Sequence, residues 1–255
     1  MKISVNKSNL IKAISISDSV VSSKNIRNIL GNCLFKIEHN CIYITGTDNE
    51  IAVKTKIDAL CDDTFSFAAN GKKFLNILKE LPDDEITLDV DDSFSIIIRS
   101  KNIKGNYVIY GLSSEEFPVL DFQLFETVID INQAVLKEMI KKVIHAAALD
   151  TIKPVFNSVY FEINQDKSIS VVSTDSRRLS IVTRSIDAEI KDKISLIVPL
   201  KTMSEILRLL GNTGICKISS KDNQCYFKID ETEIISRIVD GEYPNYKHII
   251  PKDYI

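Results

Sequence analysis

Apolar residues recur along this chain in two different spacings. Between residues 132 and 149, Leu136, Met139, Ile140 and Val143 lie three or four positions apart, which predicts an amphipathic helix with a mostly cationic outer face. Less regular patterns predict further helices at 7–19, 71–81 and 201–210. Short apolar runs bounded by Asp, Asn, Ser or Gly predict strands at 86–90, 95–99, 107–110, 195–198, 224–229 and 234–239. Together these patterns indicate an α+β fold with antiparallel sheets.

The two halves of the chain repeat one order of patterns. Thr47-Asp48 follows an apolar run in the first half, and Thr174-Asp175 follows a similar run in the second. Several matches that keep the same order indicate an internal repeat. The other matches are 4–6 with 130–132, 29–37 with 154–163, 74–81 with 203–210, and 116–118 with 242–244. We therefore expect two tandem domains, 1–125 and 126–255, each with two helices packed on antiparallel sheets.

The composition excludes several classes of protein. The 255 residues are 44% hydrophobic and 26% charged, as in an ordinary globular protein, and no apolar run has the length of a signal peptide or a membrane span. The five cysteines and three histidines lack metal-ligand spacing, and no nucleotide-binding or nucleophile motif is present. We expect a cytoplasmic protein that is not an enzyme and needs no metal or cofactor.

Charge is distributed unevenly, although the formal net charge is only −3. The four predicted helices carry ten basic and four acidic side chains. Lysine favours helices and acidic residues favour turns, which explains part of this difference. Glutamate forms helices equally well, however, and its scarcity there favours a cationic functional surface. Lysines neutralise phosphates without reading bases, so we expect non-specific, salt-sensitive contact with nucleic acid.

Four segments are specific enough to suggest a family. They are 29–32, 45–48, 174–179 and above all Ile238-Val239-Asp240-Gly241-Glu242-Tyr243-Pro244, which runs on into Ile250-Pro251. With them the chain resembles the bacterial replicative sliding clamp family, the beta subunit of DNA polymerase III. The resemblance implies a processivity factor that encircles double-stranded DNA as a homodimeric ring. Each full-length subunit has three DNA-clamp domains with pore-facing helices, and this chain matches the first two.

The resemblance also implies a pocket that captures short peptides of the polymerase catalytic subunit, the clamp loader and repair proteins. Apolar walls would hold the hydrophobic side chains of the peptide, and hydroxyl and guanidinium groups at the rim would fix its backbone. Ser176 stands where glycine is common, Asn28 where proline is common and His248 where arginine is common. By position, the pocket residues are Val155, Phe156, Thr174, Ser176, Arg177, Arg178, Leu179, Pro244, His248 and Ile249.

DNA-facing and subunit-joining residues are predicted in the same way. An edge strand at 107–110, with Tyr107 and Ile109, corresponds to the strand that joins subunits. Because a third domain is absent from this chain, we expect a monomer that cannot close a ring; whether 255 residues is the natural length stays open. The DNA-facing candidates are Lys24, Arg27, Lys72, Lys73, Lys137, Lys141, Lys142, Lys153, Lys201 and Arg208.

One alternative function remains open at the level of the sequence. A stand-alone peptide-binding or scaffold module would show the same apolar segment beside an arginine pair, with basic helices that are incidental. Salt-dependent binding to DNA separates the two functions, because only the clamp requires it.

Overall fold

The computed structural model describes residues 1–22, 28–61, 63–82, 84–123, 128–187, 190 and 192–250. They form two compact units, one built mainly from Met1–Phe122 and the other mainly from Gln123 onwards. In this part of the chain four α-helices accompany antiparallel sheets, which confirms the α+β prediction. The predicted domain boundary between residues 125 and 126 lies outside the described residues and stays a prediction.

The first unit contains two antiparallel sheets and two helices. The strand order is β1-β6-β7-β8 in one sheet and β4-β3-β2-β5-β9 in the other. The elements are β1 (Lys2–Asn6), α1 (Lys7–Asp18), β2 (Cys33–Glu38), β3 (Cys41–Thr47), β4 (Ile51–Asp58), β5 (Phe65–Ala69), α2 (Gly71–Glu80), β6 (Glu85–Val90), β7 (Ser95–Ser100), β8 (Tyr107–Tyr110) and β9 (Leu112–Ser113).

Both helices of the first unit begin at an asparagine cap and bury one face. The Oδ1 atoms of Asn6 and Asn70 each accept a hydrogen bond from a backbone N–H three residues on, at 3.1 and 3.0 Å. On α2 the buried face carries Phe74 and Leu78. The Phe74 ring lies 5.0 Å from the ring of Phe35 on β2, so this helix closes over the sheet that contains β2.

The second unit has the same architecture. Its sheets have the orders β10-β15-β16-β17 and β13-β12-β11-β14. The elements are β10 (Val128–Asn132), α3 (Gln133–Val143), β11 (Ser158–Ile163), β12 (Ser168–Thr174), β13 (Leu179–Ser185), β14 (Ile194–Pro199), α4 (Leu200–Leu209), β15 (Ile215–Lys221), β16 (Gln224–Ile229) and β17 (Thr232–Arg237).

The strand orders show that the chain is a structural repeat. The order β1-β6-β7-β8 corresponds to β10-β15-β16-β17, and β4-β3-β2-β5 corresponds to β13-β12-β11-β14. Asn132 caps α3 as Asn6 caps α1, with its Oδ1 2.9 Å from Ala134 N. The repeat predicted from the sequence is therefore present in the topology and in the helix caps.

One predicted helix is too long. The helices predicted at 7–19, 71–81 and 201–210 match α1, α2 and α4 to within one residue at each end. Instead of reaching residue 149, α3 ends at Val143 and a short 3₁₀ turn follows at Ile144–Ala146. Ala148 N donates to the carbonyl oxygen of Phe156 at 2.8 Å, and Asn157 Nδ2 donates to the carbonyl oxygen of Ala148 at 2.6 Å. These bonds to a later segment draw the backbone out of the helix.

Candidate peptide-binding pocket

The turn between β12 and β13 is held by its own side chains. Thr174 Oγ1 donates to the carbonyl oxygen of Arg178 at 2.7 Å and accepts from Ser176 N at 3.1 Å. Asp175 Oδ1 accepts from the backbone N–H groups of Arg178 and Arg177, both at 2.9 Å, and these bonds lower the pKa of Asp175 from its ordinary value. The two arginines therefore project from a backbone that has little freedom.

The first unit contains the same turn between β3 and β4. Thr47 Oγ1 donates to the carbonyl oxygen of Ile51 at 2.9 Å, and Asp48 Oδ1 accepts two backbone N–H groups at 2.9 Å. The third residue of each turn has a left-handed backbone, with φ of 77° at Asn49 and 73° at Ser176. Only glycine adopts this conformation without strain, which explains why glycine suits position 176.

The second turn borders a cavity of about 420 Å³. Its polar side is the turn itself, and its apolar side comes from β13 and from the segment after Pro244. Six of the ten predicted pocket residues line this cavity, and Ile181 and Ile250 line it as well. The full lining is Thr174, Ser176, Arg177, Arg178, Leu179, Ile181, Ile249 and Ile250.

The apolar side of the cavity rests on an aromatic and aliphatic cluster. Tyr160, Val172, Ile197 and Tyr246 form its buried part, and Val155, Leu179, Ile181 and Ile250 pack against it. The Tyr160 ring stacks on that of Tyr243, with centroids 4.7 Å apart. An apolar floor beneath a rim of hydroxyl and guanidinium groups suits an extended peptide with hydrophobic side chains.

Four predicted pocket residues lie outside the cavity lining. Val155 packs against the cluster beneath the cavity, and its neighbour Phe156 is half-buried in a 3₁₀ turn. His248 is exposed on the 3₁₀ turn at Tyr246–Ile249. Pro244 lines a neighbouring groove of about 730 Å³.

Two apolar residues of the lining, Ile181 and Ile250, were missed by sequence reasoning. Ile181 lies two positions after Leu179 on β13, where strand periodicity places side chains on one face. That spacing was the signal that could have identified Ile181.

The predicted DNA-facing residues comprise two that the structure does not describe, one that is half-buried and seven that are exposed. Lys24 and Arg27 lie outside the described residues. Half-buried Lys137 donates from Nζ to the carbonyl oxygen of Leu210 at 2.7 Å. Two exposed cations are also paired, Lys142 with Glu138 and Arg208 with Glu205. The exposed members of the set are Lys72, Lys73, Lys141, Lys142, Lys153, Lys201 and Arg208.

The predicted subunit edge is an edge strand of the first unit. β8 is last in the order β1-β6-β7-β8, and Tyr107 is 36% exposed. Ile109, however, is only 3% exposed, because it pairs with Ile96 of β7 and packs in the core. Its side chain therefore cannot join a partner surface. Val108 and Tyr110 are the exposed neighbours, at 45% and 82%.

Two protein-family models match this chain, one over each of its two units. The model of the DNA polymerase III beta subunit N-terminal domain matches residues 1–121, and the model of the central domain matches residues 130–245. The chain belongs to the DNA polymerase III beta subunit family. Members of this family are non-catalytic sliding clamps, so the function is that of a processivity factor, which favours the clamp over the stand-alone module.

Individual relatives match over nearly the whole chain. The beta sliding clamp of Halalkalibacterium halodurans is 29% identical, over 98% of this chain and 68% of the relative. The crystal structure of the Bacillus subtilis clamp aligns with a TM-score of 0.93 at 25% identity, over 99% of this chain and 68% of that one. The Thermotoga maritima beta subunit aligns with a TM-score of 0.87 at 27% identity, over 98% and 68%.

The described residues contain neither a cluster of metal-ligating side chains nor a membrane-spanning helix. In residues 1–22, 28–61, 63–82, 84–123, 128–187, 190 and 192–250, no group of three or more His, Cys, Asp or Glu is placed to hold a metal ion. Within the same ranges no helix has the length and apolar character needed to cross a bilayer.

Proposed function

We propose that the cavity beside β13 captures the short linear peptides by which polymerase III and other replication and repair proteins attach to the clamp. This proposal rests on one observation: four apolar side chains line a single cavity beside the Thr174 turn. They are Leu179, Ile181, Ile249 and Ile250. Ile249 is 65% exposed, so an apolar surface is available for a ligand to bury. A bound leucine or phenylalanine side chain would remove that surface from water.

Calorimetry with a peptide that carries a glutamine followed by spaced leucine and phenylalanine tests this function. Leu179→Ala should weaken binding by about 1–2 kcal/mol, roughly tenfold, because it removes a contact at the centre of the pocket. Leu60→Ala is the matched control, since Leu60 is 70% exposed in the first unit and far in sequence from the pocket. Equal affinity of folded Leu179→Ala and wild-type protein would show that the peptide binds elsewhere.

We also propose that the exposed cations of the helices contact DNA phosphates without reading sequence. On α2, Lys72 and Lys73 are exposed while Phe74 and Leu78 are buried, so the helix shows its cationic face to solvent. On α4, Lys201 is exposed while Met203 is buried. This arrangement supports phosphate contact and sliding, because such contacts carry no base information.

Two further assignments follow from this function. Members of the family act on DNA inside the cell, and we place this protein in the cytoplasm of a bacterium. The edge strand β8 is proposed as a pairing edge between subunits, through its backbone and through Tyr107, Val108 and Tyr110 rather than through the side chain of Ile109.

A further inference from the structure

A buried carboxylate lies under the segment that forms one wall of the pocket. Glu162 on β11 is 3% exposed, yet it does not line the peptide cavity. Buried carboxylates persist only where hydrogen bonds and opposite charges satisfy them. Glu162 accepts hydrogen bonds from Tyr246 Oη at 3.0 Å and from Lys247 Nζ, and Lys193 Nζ lies 3.4 Å away.

Two of these three partners stand on the same 3₁₀ turn, Tyr246–Ile249. Tyr246 and Ile249 are the first and last residues of this turn, so one short backbone segment connects them. Tyr246 is anchored to the sheet, and Ile249 lines the cavity. The position of the Tyr246 anchor therefore fixes the position of the Ile249 wall.

The electrostatics keep this anchor in place at neutral pH. Burial by itself favours the uncharged form of Glu162, but the hydrogen bonds from Lys247 and Tyr246 and the nearby ammonium charges outweigh it. The pKa of Glu162 is therefore lowered from its ordinary value. The carboxylate is ionised under physiological conditions and accepts charge-assisted hydrogen bonds, which are stronger than neutral ones.

We propose that Glu162 is a positioning residue of the peptide pocket, which holds the 3₁₀ turn through Tyr246 and Lys247 and so sets the wall formed by Ile249 and Ile250. This inference rests on the proposed peptide-binding function. Without the tether, the wall is free to shift away from β13, and the cavity is no longer shaped for a ligand before it binds. A pocket that must be ordered on binding has lower affinity.

Lys193 provides a matched control. Its ammonium pairs with the same carboxylate, but Lys193 precedes β14 and is not part of the 3₁₀ turn. Lys193→Gln removes one charge partner of Glu162 and leaves the tether. Tyr246→Phe removes only the hydroxyl that donates to Glu162 and keeps the ring in the apolar cluster.

The test is titration of the same glutamine, leucine and phenylalanine peptide into single and double variants of the 255-residue protein. We expect Glu162→Gln and Tyr246→Phe each to weaken peptide binding by about threefold to tenfold, since each removes a hydrogen bond of the tether. Lys193→Gln should bind as the wild type does. In an Ile249→Ala background, Glu162→Gln should have a smaller effect than in the wild type, because Ile249, one of the two wall residues on which it acts, is already truncated.

Three results would overturn the inference. They are wild-type affinity in both Glu162→Gln and Tyr246→Phe, an equal loss in Lys193→Gln, or the same loss from Glu162→Gln whether or not Ile249 is present. The last result is the one expected of a purely structural carboxylate. If Glu162→Gln does not fold, Tyr246→Phe with and without Ile249→Ala decides the question. Failure of the wild type to bind the peptide would instead overturn the proposed function itself.

Discussion

At the scale of the residue, position 176 shows how a single backbone angle affects the pocket. Ser176 has a φ of 73°, a left-handed conformation that costs a residue with a β-carbon about 1 kcal/mol or more. The hydrogen bond from Ser176 N to Thr174 Oγ1 involves the backbone, so it survives replacement of the side chain. The turn therefore keeps its shape while bearing strain that glycine would remove.

We predict that Ser176→Gly raises the free energy of unfolding by up to about 1 kcal/mol, because relief of the left-handed strain exceeds the added entropy of the unfolded glycine. Asn49→Gly in the equivalent turn should give a smaller gain, since asparagine tolerates this conformation better. Urea denaturation of both variants measures the difference. A lower free energy of unfolding for Ser176→Gly would contradict the strain argument.

At the scale of the element, each unit uses one lysine to close its helix pair. Lys7 Nζ donates to the carbonyl oxygen of Leu81 at 2.6 Å, and Lys137 Nζ donates to that of Leu210 at 2.7 Å. Both carbonyls stand at the C-terminal end of a helix, where the helix dipole favours a cation. The accepting carbonyls of Leu81 and Leu210 are equivalent in the repeat, whereas the lysines come from different positions on the first helix, because Lys7 corresponds to Gln133.

Lys137→Met should therefore lower the free energy of unfolding by about 1–2 kcal/mol, through loss of a charge-assisted bond at a helix end. Its neighbour Lys141 is exposed, and Lys141→Met should leave stability almost unchanged. Thermal denaturation compares the two variants directly. If they are equally stable, the hydrogen bond between Lys137 and Leu210 has no net effect.

Local chemistry explains which elements could be predicted from the sequence. The start of α2 and the Thr174 turn are set by neighbouring side chains, Asn70 in the one and Asp175 in the other. The end of α3 depends on bonds from Asn157, fourteen residues after Val143, which no local pattern contains. The burial of Ile109 follows from its register against β7, and periodicity alone does not distinguish the two faces of an edge strand.

Two residues of the candidate site, Ile250 and Glu162, could not be assigned from the sequence. The position of Ile250 depends on the fold of the segment after Pro244, which crosses the cluster around Tyr160. The role of Glu162 was missed because its partners on the 3₁₀ turn, Tyr246 and Lys247, lie more than eighty residues later in the chain. A polar residue within the apolar run 159–163 was the one signal that could have drawn attention to it.

At the scale of the whole molecule, DNA binding depends on many weak charges rather than on one site. The formal net charge is −3, so attraction to DNA has to come from the exposed cations of the helices. Such cations release counterions from the phosphates, and affinity then falls steeply as salt rises. Base sequence should have no influence.

Replacement of Lys72 and Lys73 by glutamine should weaken DNA binding and reduce the dependence of log affinity on log salt by about one for each phosphate that is no longer neutralised. Lys36→Gln on β2 is the control, because this exposed lysine pairs with Glu38 on a strand rather than on a helix. Fluorescence anisotropy at several salt concentrations gives the slopes. An unchanged slope in the double variant, or a preference for one DNA sequence, would rule out this mode of binding.

The central claim is that the cavity beside β13 receives the partner peptide, and methyl NMR of the 255-residue protein tests it most directly. Peptide that carries a glutamine followed by spaced leucine and phenylalanine is titrated into protein labelled at isoleucine and leucine methyl groups. We predict saturable shifts of Leu179, Ile181, Ile249 and Ile250, with the buried Ile96 of the first unit unaffected. Saturable shifts confined to another surface, with these four residues unchanged, would contradict the account.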